Sequence, residues 1–327
     1  MEIIEINPRT EQDNIRIIPA EPPTSPFIEA NTLEASWEEI NEHHIIPVFN
    51  RDNEPLISHA EFIEVVQERV ADYFASETIL RPNIRLSHPI KGRVPEARNK
   101  PANELQEWEK TLYFQRMAFV IEIPSIQDTI AGNTLSLTVG GVKAYNLDNI
   151  NGKKGADQHF KLFIGFKNSV CTNLCVWTDG LMDDVRVKEK DTLHMYIQHL
   201  LERYRSNMHL EAMKDLAGYH LTEKQFAEFV GKCRMYQYLP KADKHRVKEM
   251  SFGDQQIGAI ARGYYEDPYF GRYHNGDINL WSLYNLLTGA NKSTYVDQFV
   301  SRSSNAYNLT ESIKYSLQGY KRSWYLN

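Results

Sequence analysis

Apolar positions recur along this chain with two different periods, and the change falls near residue 190. Before it, Met117, Phe119, Ile121 and Ile123 alternate with other residues, and Thr134-Leu-Ser-Leu-Thr-Val139 alternates polar with apolar. Phe160, Leu162, Ile164 and Phe166 alternate with Lys161, Phe163, Gly165 and Lys167. A period of two is that of a strand with two unlike faces. The pattern therefore predicts an antiparallel sheet with one solvated face, on which Lys161 and Lys167 would stand. His44 to Phe49, HIIPVF, reads as a further strand, Gly140-Gly141 as a bulge, and Asn146 to Gln158 as a long exposed connection.

Helical signals are of two kinds. Ser58-His-Ala-Glu61 and Thr222-Glu-Lys-Gln225 have the spacing of capping boxes, flanked by Ile57/Phe62 and Leu221/Phe226 as hydrophobic staples. The first predicts a helix that buries Phe62, Val65, Val66, the stem of Arg69 and Tyr73. After Asp191 the period becomes helical, with Leu193, Ile197, Leu200, Leu201 and Tyr204 in one stripe. Further helix starts are read at Asp254, Asp277 and Thr310, and stops at Gly289 and Gly319. Strands followed by helices, without alternation, predict an α+β fold: an N-terminal antiparallel sheet with helices, then a C-terminal helical region. The expected division is a flexible, disordered acidic arm over 1–42, a β-rich α+β domain over 43–190, and a helical region over 191–327 packed on it. Five prolines mark the arm, and one short helix is expected in it near Leu33 to Ile40.

Charge sharpens this division. The net charge is −6. Residues 1–44 hold ten acids against Arg9 and Arg16, which is −8, so the remainder is +2. Residues 81–100, RPNIRLSHPIKGRVPEARNK, hold Arg81, Arg85, Lys91, Arg93, Arg98 and Lys100 against Glu96, a net of +5. Its prolines preclude a helix and predict an irregular loop or extended arm whose cations could follow a phosphate backbone. Lys241, Lys244, Arg246 and Lys248 form a smaller patch. The last 66 residues contain ten of the eighteen tyrosines, interleaved in places with Arg and Lys. That texture suits base stacking, but Trp281, Tyr284 and Leu287 at helical spacing read as core.

Catalytic motifs do not emerge. Gly289-Ala-Asn-Lys292-Ser-Thr lacks the Gly before Lys and the preceding strand of a phosphate-binding loop. There is no H-E-x-x-H, G-x-S-x-G or G-x-G-x-x-G, and His194 and His199 diverge on a helix. Cys171, Cys175 and Cys233 have no zinc-site spacing and read as buried thiols of a reducing compartment. No run approaches the roughly 18–20 apolar residues of a membrane span, and the N-terminus lacks a secretory pattern, so a cytoplasmic location is expected. No cofactor, metal or catalytic residue is assigned.

The segments RLSHPIKGRVPEA, VGGVKAYN, GFKNSVCTNLCVWTDG, LTEKQFAEFVGKCRMYQYLP and NLWSLYNLLTGANKSTYVDQF resemble an uncharacterised family carried by bacterial conjugative elements. More distantly, GFKNSVCTNL and LWSLYN are similar to phage- and plasmid-like proteins of unknown function. The resemblance implies a context of mobile DNA and assigns no reaction. Together with the charge pattern it leads to an expectation of a non-enzymatic, single-strand nucleic-acid-binding protein of transfer, recombination or maintenance. Arg81, Arg85, Lys91, Arg93 and Arg98 would contact phosphate, with Lys161 and Lys167 on the sheet. Two rivals stand beside it: an interaction module that counters a host factor through the acidic arm, and a nucleic-acid-processing enzyme whose site assembles only in space.

Overall fold

The structure is a computed structural model that describes residues 3–6, 15–18, 26–43, 56–148 and 156–326. Two short strands, β1 (Ile3–Ile6) and β2 (Ile15–Ile18), form an antiparallel ladder. Then come β3 (Thr32–Ala35), α1 (Trp37–His43) and α2 (His59–Tyr73). The sheet continues with β4 (Asn83–Arg93), β5 (Lys110–Ile130), β6 (Asn133–Ala144), β7 (Gln158–Asn168) and β8 (Leu174–Val187). Strands β3 to β8 make one six-stranded antiparallel meander in chain order. The helical half contains α3 (Lys190–Arg203), α4 (Ser206–Leu216), α5 (Glu223–Tyr236), α6 (Lys241–Lys244) and α7 (Asp254–Glu266). It ends with α8 (Leu280–Asn291) and α9 (Val296–Leu317), and a two-stranded ladder pairs β9 (His220–Leu221) with β10 (Ile278–Asn279). The architecture is α+β, as the change of period predicts.

Both capping boxes form. Glu61 N donates to Ser58 Oγ at 3.1 Å and Ser58 N to Glu61 Oε2 at 2.8 Å; Gln225 N donates to Thr222 Oγ1 at 3.3 Å. These signals are local, so tertiary context does not change them. Phe62, Val65, Val66 and Val70 are buried on α2, whereas Tyr73 is exposed rather than part of that face.

The sheet is covered on both faces, which corrects the expectation of a wet one. Met117, Phe119, Ile121, Leu137, Phe160 and Ile164 belong to the core shared with α2 and α3. Ala118, Val120, Val142, Phe163 and Val176 pack against Phe27, Ile28 and the first turns of α9 at Val296, Phe299 and Val300. The alternation in β6 misleads because its polar positions are small. Ser136 is buried beneath this second layer and donates to Glu122 Oε1 at 2.7 Å. Gly140-Gly141 is not a bulge: the β5–β6 register runs through it and breaks between Ile123 and Gln127. A Cβ on Gly140 would lie 2.2 Å from Phe119 O, and one on Gly141 2.4 Å from Phe62 Cζ, so both glycines are required by close packing.

Other boundaries shift too. Residues 26–43 join the fold: Phe27 and Ile28 are buried, β3 pairs with β4, and helix α1 begins only at Trp37. The strand expected over 44–49 and residues 149–155 of the connection after Asn146 lie outside the described residues. Helix α8 starts at Leu280, capped by Asn279, rather than at Asp277, and contains Gly289. Thr310 lies inside α9, and Gly319 follows its end with φ of 78°. Among the described residues no helix is long and apolar enough to cross a membrane.

Candidate nucleic-acid interface

The basic stretch 81–100 is not an irregular loop. Residues 83–93 are strand β4, held on one side by β3 and on the other by β5. The pairing puts Arg93 opposite Lys110, Lys91 opposite Leu112 and Ser87 opposite Arg116. Cross-strand partners share a face, as do residues two apart on one strand. Arg93, Lys110, Lys91 and Leu112 therefore lie along one face at the outer end of the β4–β5 hairpin. The alternation does not carry on to Arg116: His88 between them has a left-handed backbone, Phe114 joins the core on the α2 side, and Arg116 meets α9.

An exposed aromatic residue accompanies each group of cations. Trp108 precedes β5 and is 70% exposed. Tyr295, 52% exposed, lies beneath the Arg116 guanidinium at 5.4 Å and beside the His88 ring at 5.7 Å. His88 has φ of 61°, a left-handed backbone that is strained for a non-glycine residue. Its ring lies 3.2 Å from Arg116 Nη1, and burial followed by the Arg116 charge holds its pKa below the usual histidine value. Asp297 lies 3.5 Å from Arg116 Nε. Acids temper the row: Glu107 pairs with Lys110 at 2.5 Å, and buried Glu109 pairs with Lys100. Arg93 donates to Lys100 O, while Lys91 is exposed and makes no ion pair among the described residues.

The remaining predicted residues are dispersed. Arg85 is tied to the sheet edge, donating to Thr32 Oγ1 at 3.0 Å and Thr32 O at 2.9 Å. Arg98 is exposed in the connection between β4 and β5. Lys161 is only 8% exposed, bonded to Asp183 at 2.6 Å and to Ser301 of α9 at 2.8 Å. Burial alone would raise the Asp183 carboxyl, but its hydrogen bonds from Lys161 and Ser301 outweigh that and hold it below the usual range. Lys161 is thus a buried ion-pair partner. Lys167 pairs with Glu122 at 2.5 Å and shares a cleft of about 240 Å³ with Arg81, so those two are brought together, away from the hairpin row.

The C-terminal aromatic residues divide. Tyr264, Tyr269, Tyr273, Tyr284, Tyr307 and Tyr325 are buried, leaving Tyr265, Tyr295, Tyr315 and Tyr320 exposed. Most of the tyrosine enrichment is therefore packing. Lys244 donates to Gln237 O and Lys248 to Asn308 Oδ1, so the smaller basic patch is partly engaged in structure. Sequence reasoning missed Trp108, which sits between two glutamates, and missed Arg116, which meets its partners only through the pairing of β4 and the start of α9.

Three of the segments quoted for the family resemblance meet around Arg116: RLSHP through His88, VKAYN through Asn146, which accepts from Arg116 Nε at 3.2 Å, and STYVDQF through Tyr295 and Asp297. No curated protein matches the chain, and no solved structure does. A family model described as "Domain of unknown function, B. Theta Gene description" matches residues 10–326, and the chain belongs to that family.

Proposed function

We infer that this protein binds single-stranded nucleic acid without catalysing a reaction on it, using the face of the β4–β5 hairpin. The observation that carries this reading is the row of Lys91, Arg93 and Lys110 along one strand pair, with exposed Trp108 two residues before Lys110. Cations spaced along a backbone track release counterions from phosphates, and exposed rings provide sequence-tolerant stacking surfaces. The resemblance to proteins of conjugative elements supports a role in the transfer, recombination or maintenance of mobile DNA. Arg98 and the Arg81/Lys167 cleft would be secondary contacts; Lys161 and Arg85 serve the fold.

The double variant Lys91→Ala/Arg93→Ala tests this. It should weaken binding of a mixed-sequence single-stranded oligonucleotide by about tenfold or more at low salt. The slope of log affinity against log salt should become shallower by roughly 1.4, at 0.7 per phosphate contact on a single strand. Its melting temperature should stay near that of the parent, since neither side chain lies in the core. Binding curves that superimpose at every salt concentration would remove the hairpin from the account.

A further inference from the structure

A second cationic surface forms where the chain ends. Beyond α9 the chain closes with a 3₁₀ turn, Trp324–Leu326, that packs on α5. Tyr325 in this turn is fully buried, and its hydroxyl donates to Lys248 O at 2.6 Å. Its ring lies 6.5 Å from that of Tyr236 on α5 and 5.2 Å from that of Trp324. Those two rings each carry a cation: Lys244 Nζ stands 5.2 Å from the Tyr236 ring, and Lys232 Nζ 4.8 Å from the Trp324 ring. One buried tyrosine thus ties together α5, α6, the segment after α6 and the chain end.

Chain geometry brings in further cations. Arg322 and Lys321 precede Tyr325 by three and four residues, so their Cα atoms lie within about 15 Å of it. Lys241 opens α6, one turn before Lys244. Residues 228–254 and 318–326 together hold eight Lys and Arg against four Asp and Glu, a net of +4 in a chain of −6. Two of those acids are matched locally, Asp254 by Arg234 at 3.3 Å and Asp243 by Arg246 at 4.0 Å. Lys241, Lys321 and Arg322 are exposed and have no side-chain hydrogen bond or ion pair among the described residues. A local excess of cations attracts a polyanion.

The aromatic residues narrow the partner. Tyr238 and Tyr320 are 80% and 79% exposed, more than any other large hydrophobic side chain among the described residues. A lipid surface would take up exposed aliphatic side chains. Leu239, Val247 and Leu326 instead pack against the core. Cations beside bare tyrosine rings suit phosphates and unstacked bases. The hairpin row stands on β4 and β5, whereas this surface is built from α5, α6 and the chain end. We propose that the C-terminal surface holds a second segment of single-stranded nucleic acid, so that one chain bridges two strands. Two strands held on one body have a raised effective concentration, so complementary strands should anneal faster. Bridging rests on the hairpin reading; occupation of the C-terminal surface does not.

Stoichiometric titration of the full chain with a short oligo-deoxythymidine at low salt, beside annealing of two complementary oligonucleotides, tests the proposal. The parent is compared with Lys91→Ala/Arg93→Ala and with Lys241→Ala/Lys321→Ala/Arg322→Ala. The parent should take up two strands per chain and speed annealing by about tenfold or more. Each variant should keep one tightly held strand and lose the acceleration. The C-terminal variant should also retain quenching of Trp108 and the parental melting temperature, because its substituted side chains are exposed. One strand per parent chain, or a C-terminal variant that anneals as the parent does, would overturn the proposal and leave the hairpin reading intact. Loss of all binding in the C-terminal variant, with Lys91→Ala/Arg93→Ala unaffected, would remove the hairpin and bridging with it. If the C-terminal variant lost only binding to phosphatidylcholine vesicles containing phosphatidylserine, the surface would belong to a membrane and the proposal would fall.

Discussion

Trp281→Ala is expected to remove about 3–5 kcal/mol of stability, a large part of the 5–15 kcal/mol that folded domains typically have. Trp281 is 1% exposed and packs on Tyr284 with ring centroids 6.0 Å apart. Its Nε1 donates to Asn133 Oδ1 at 3.3 Å, linking α8 to the start of β6. Truncation would leave a cavity between the helical half and the sheet and strip Asn133, itself buried, of that donor. The cost therefore combines lost packing with an exposed polar debt inside the core. Chemical denaturation should show a lower midpoint with an unchanged slope. An unaltered midpoint would mean that the helical half does not depend on this contact.

Alkaline pH should destabilise the fold, and the sign follows from its thiols. Burial raises the pKa of Cys175 and of Cys233, both fully buried, well above the ordinary thiol range. In the unfolded chain they ionise near 8.5. A raised folded value means the contribution is complete below the unfolded pKa and is lost as pH climbs toward the folded one. Each thiol thus loses about 1.4 kcal/mol per pH unit above roughly 8.5, so the pair loses about 2.7 kcal/mol between pH 9 and 10. Lys143 works in the opposite direction. It is buried against Asp148 at 3.2 Å, and burial lowers its pKa to about 8 despite that carboxylate. Between about 8 and the unfolded lysine value near 10.4, the unfolded chain holds a proton that the folded chain has released. Stability from Lys143 rises in that window and offsets about half of the loss from these two thiols, while Cys171, whose thiol burial pushes up to about 12, adds a third loss of the same sign. Denaturation midpoints at pH 7, 9 and 10 under reducing conditions should fall for the parent. They should fall less for Cys175→Ala/Cys233→Ala, and a parental slope in that variant would contradict the assignment.

How far the sequence reaches depends on the range of the interaction. Both capping boxes and the staples around Ile57/Phe62 and Leu221/Phe226 are set within five residues of chain, and they form as read. Strands β5 to β7 are recognisable from period two, but their length is not, because Lys110 to Leu112 and Asp128 to Ile130 take strand form only through pairing. The error over the wet face has one cause. Ser136 and the cations Lys161 and Lys167 alternate like a solvated face, yet their partners Glu122, Asp183 and Ser301 lie 14 to 140 residues away. Strand β3 is four residues inside an acidic, proline-rich stretch, so its edge pairing with β4 leaves no periodic trace. The cationic row was partly legible: Lys91 and Arg93 stand in the basic stretch, but Lys110 joins them only through the pairing of β4 with β5.

Titration of the unmodified chain with a fluorescent oligo-deoxythymidine at a series of salt concentrations addresses the central claim most directly. Homopolymeric thymidine forms no duplex, so it isolates phosphate contact and stacking from base readout. The hairpin row of three cations predicts saturable binding at low salt, with log affinity falling by up to about 2.1 per decade of salt at 0.7 per phosphate. Binding should quench Trp108, the most exposed tryptophan. Absence of binding at low salt, or binding indifferent to salt, would contradict the assignment of this face to nucleic acid.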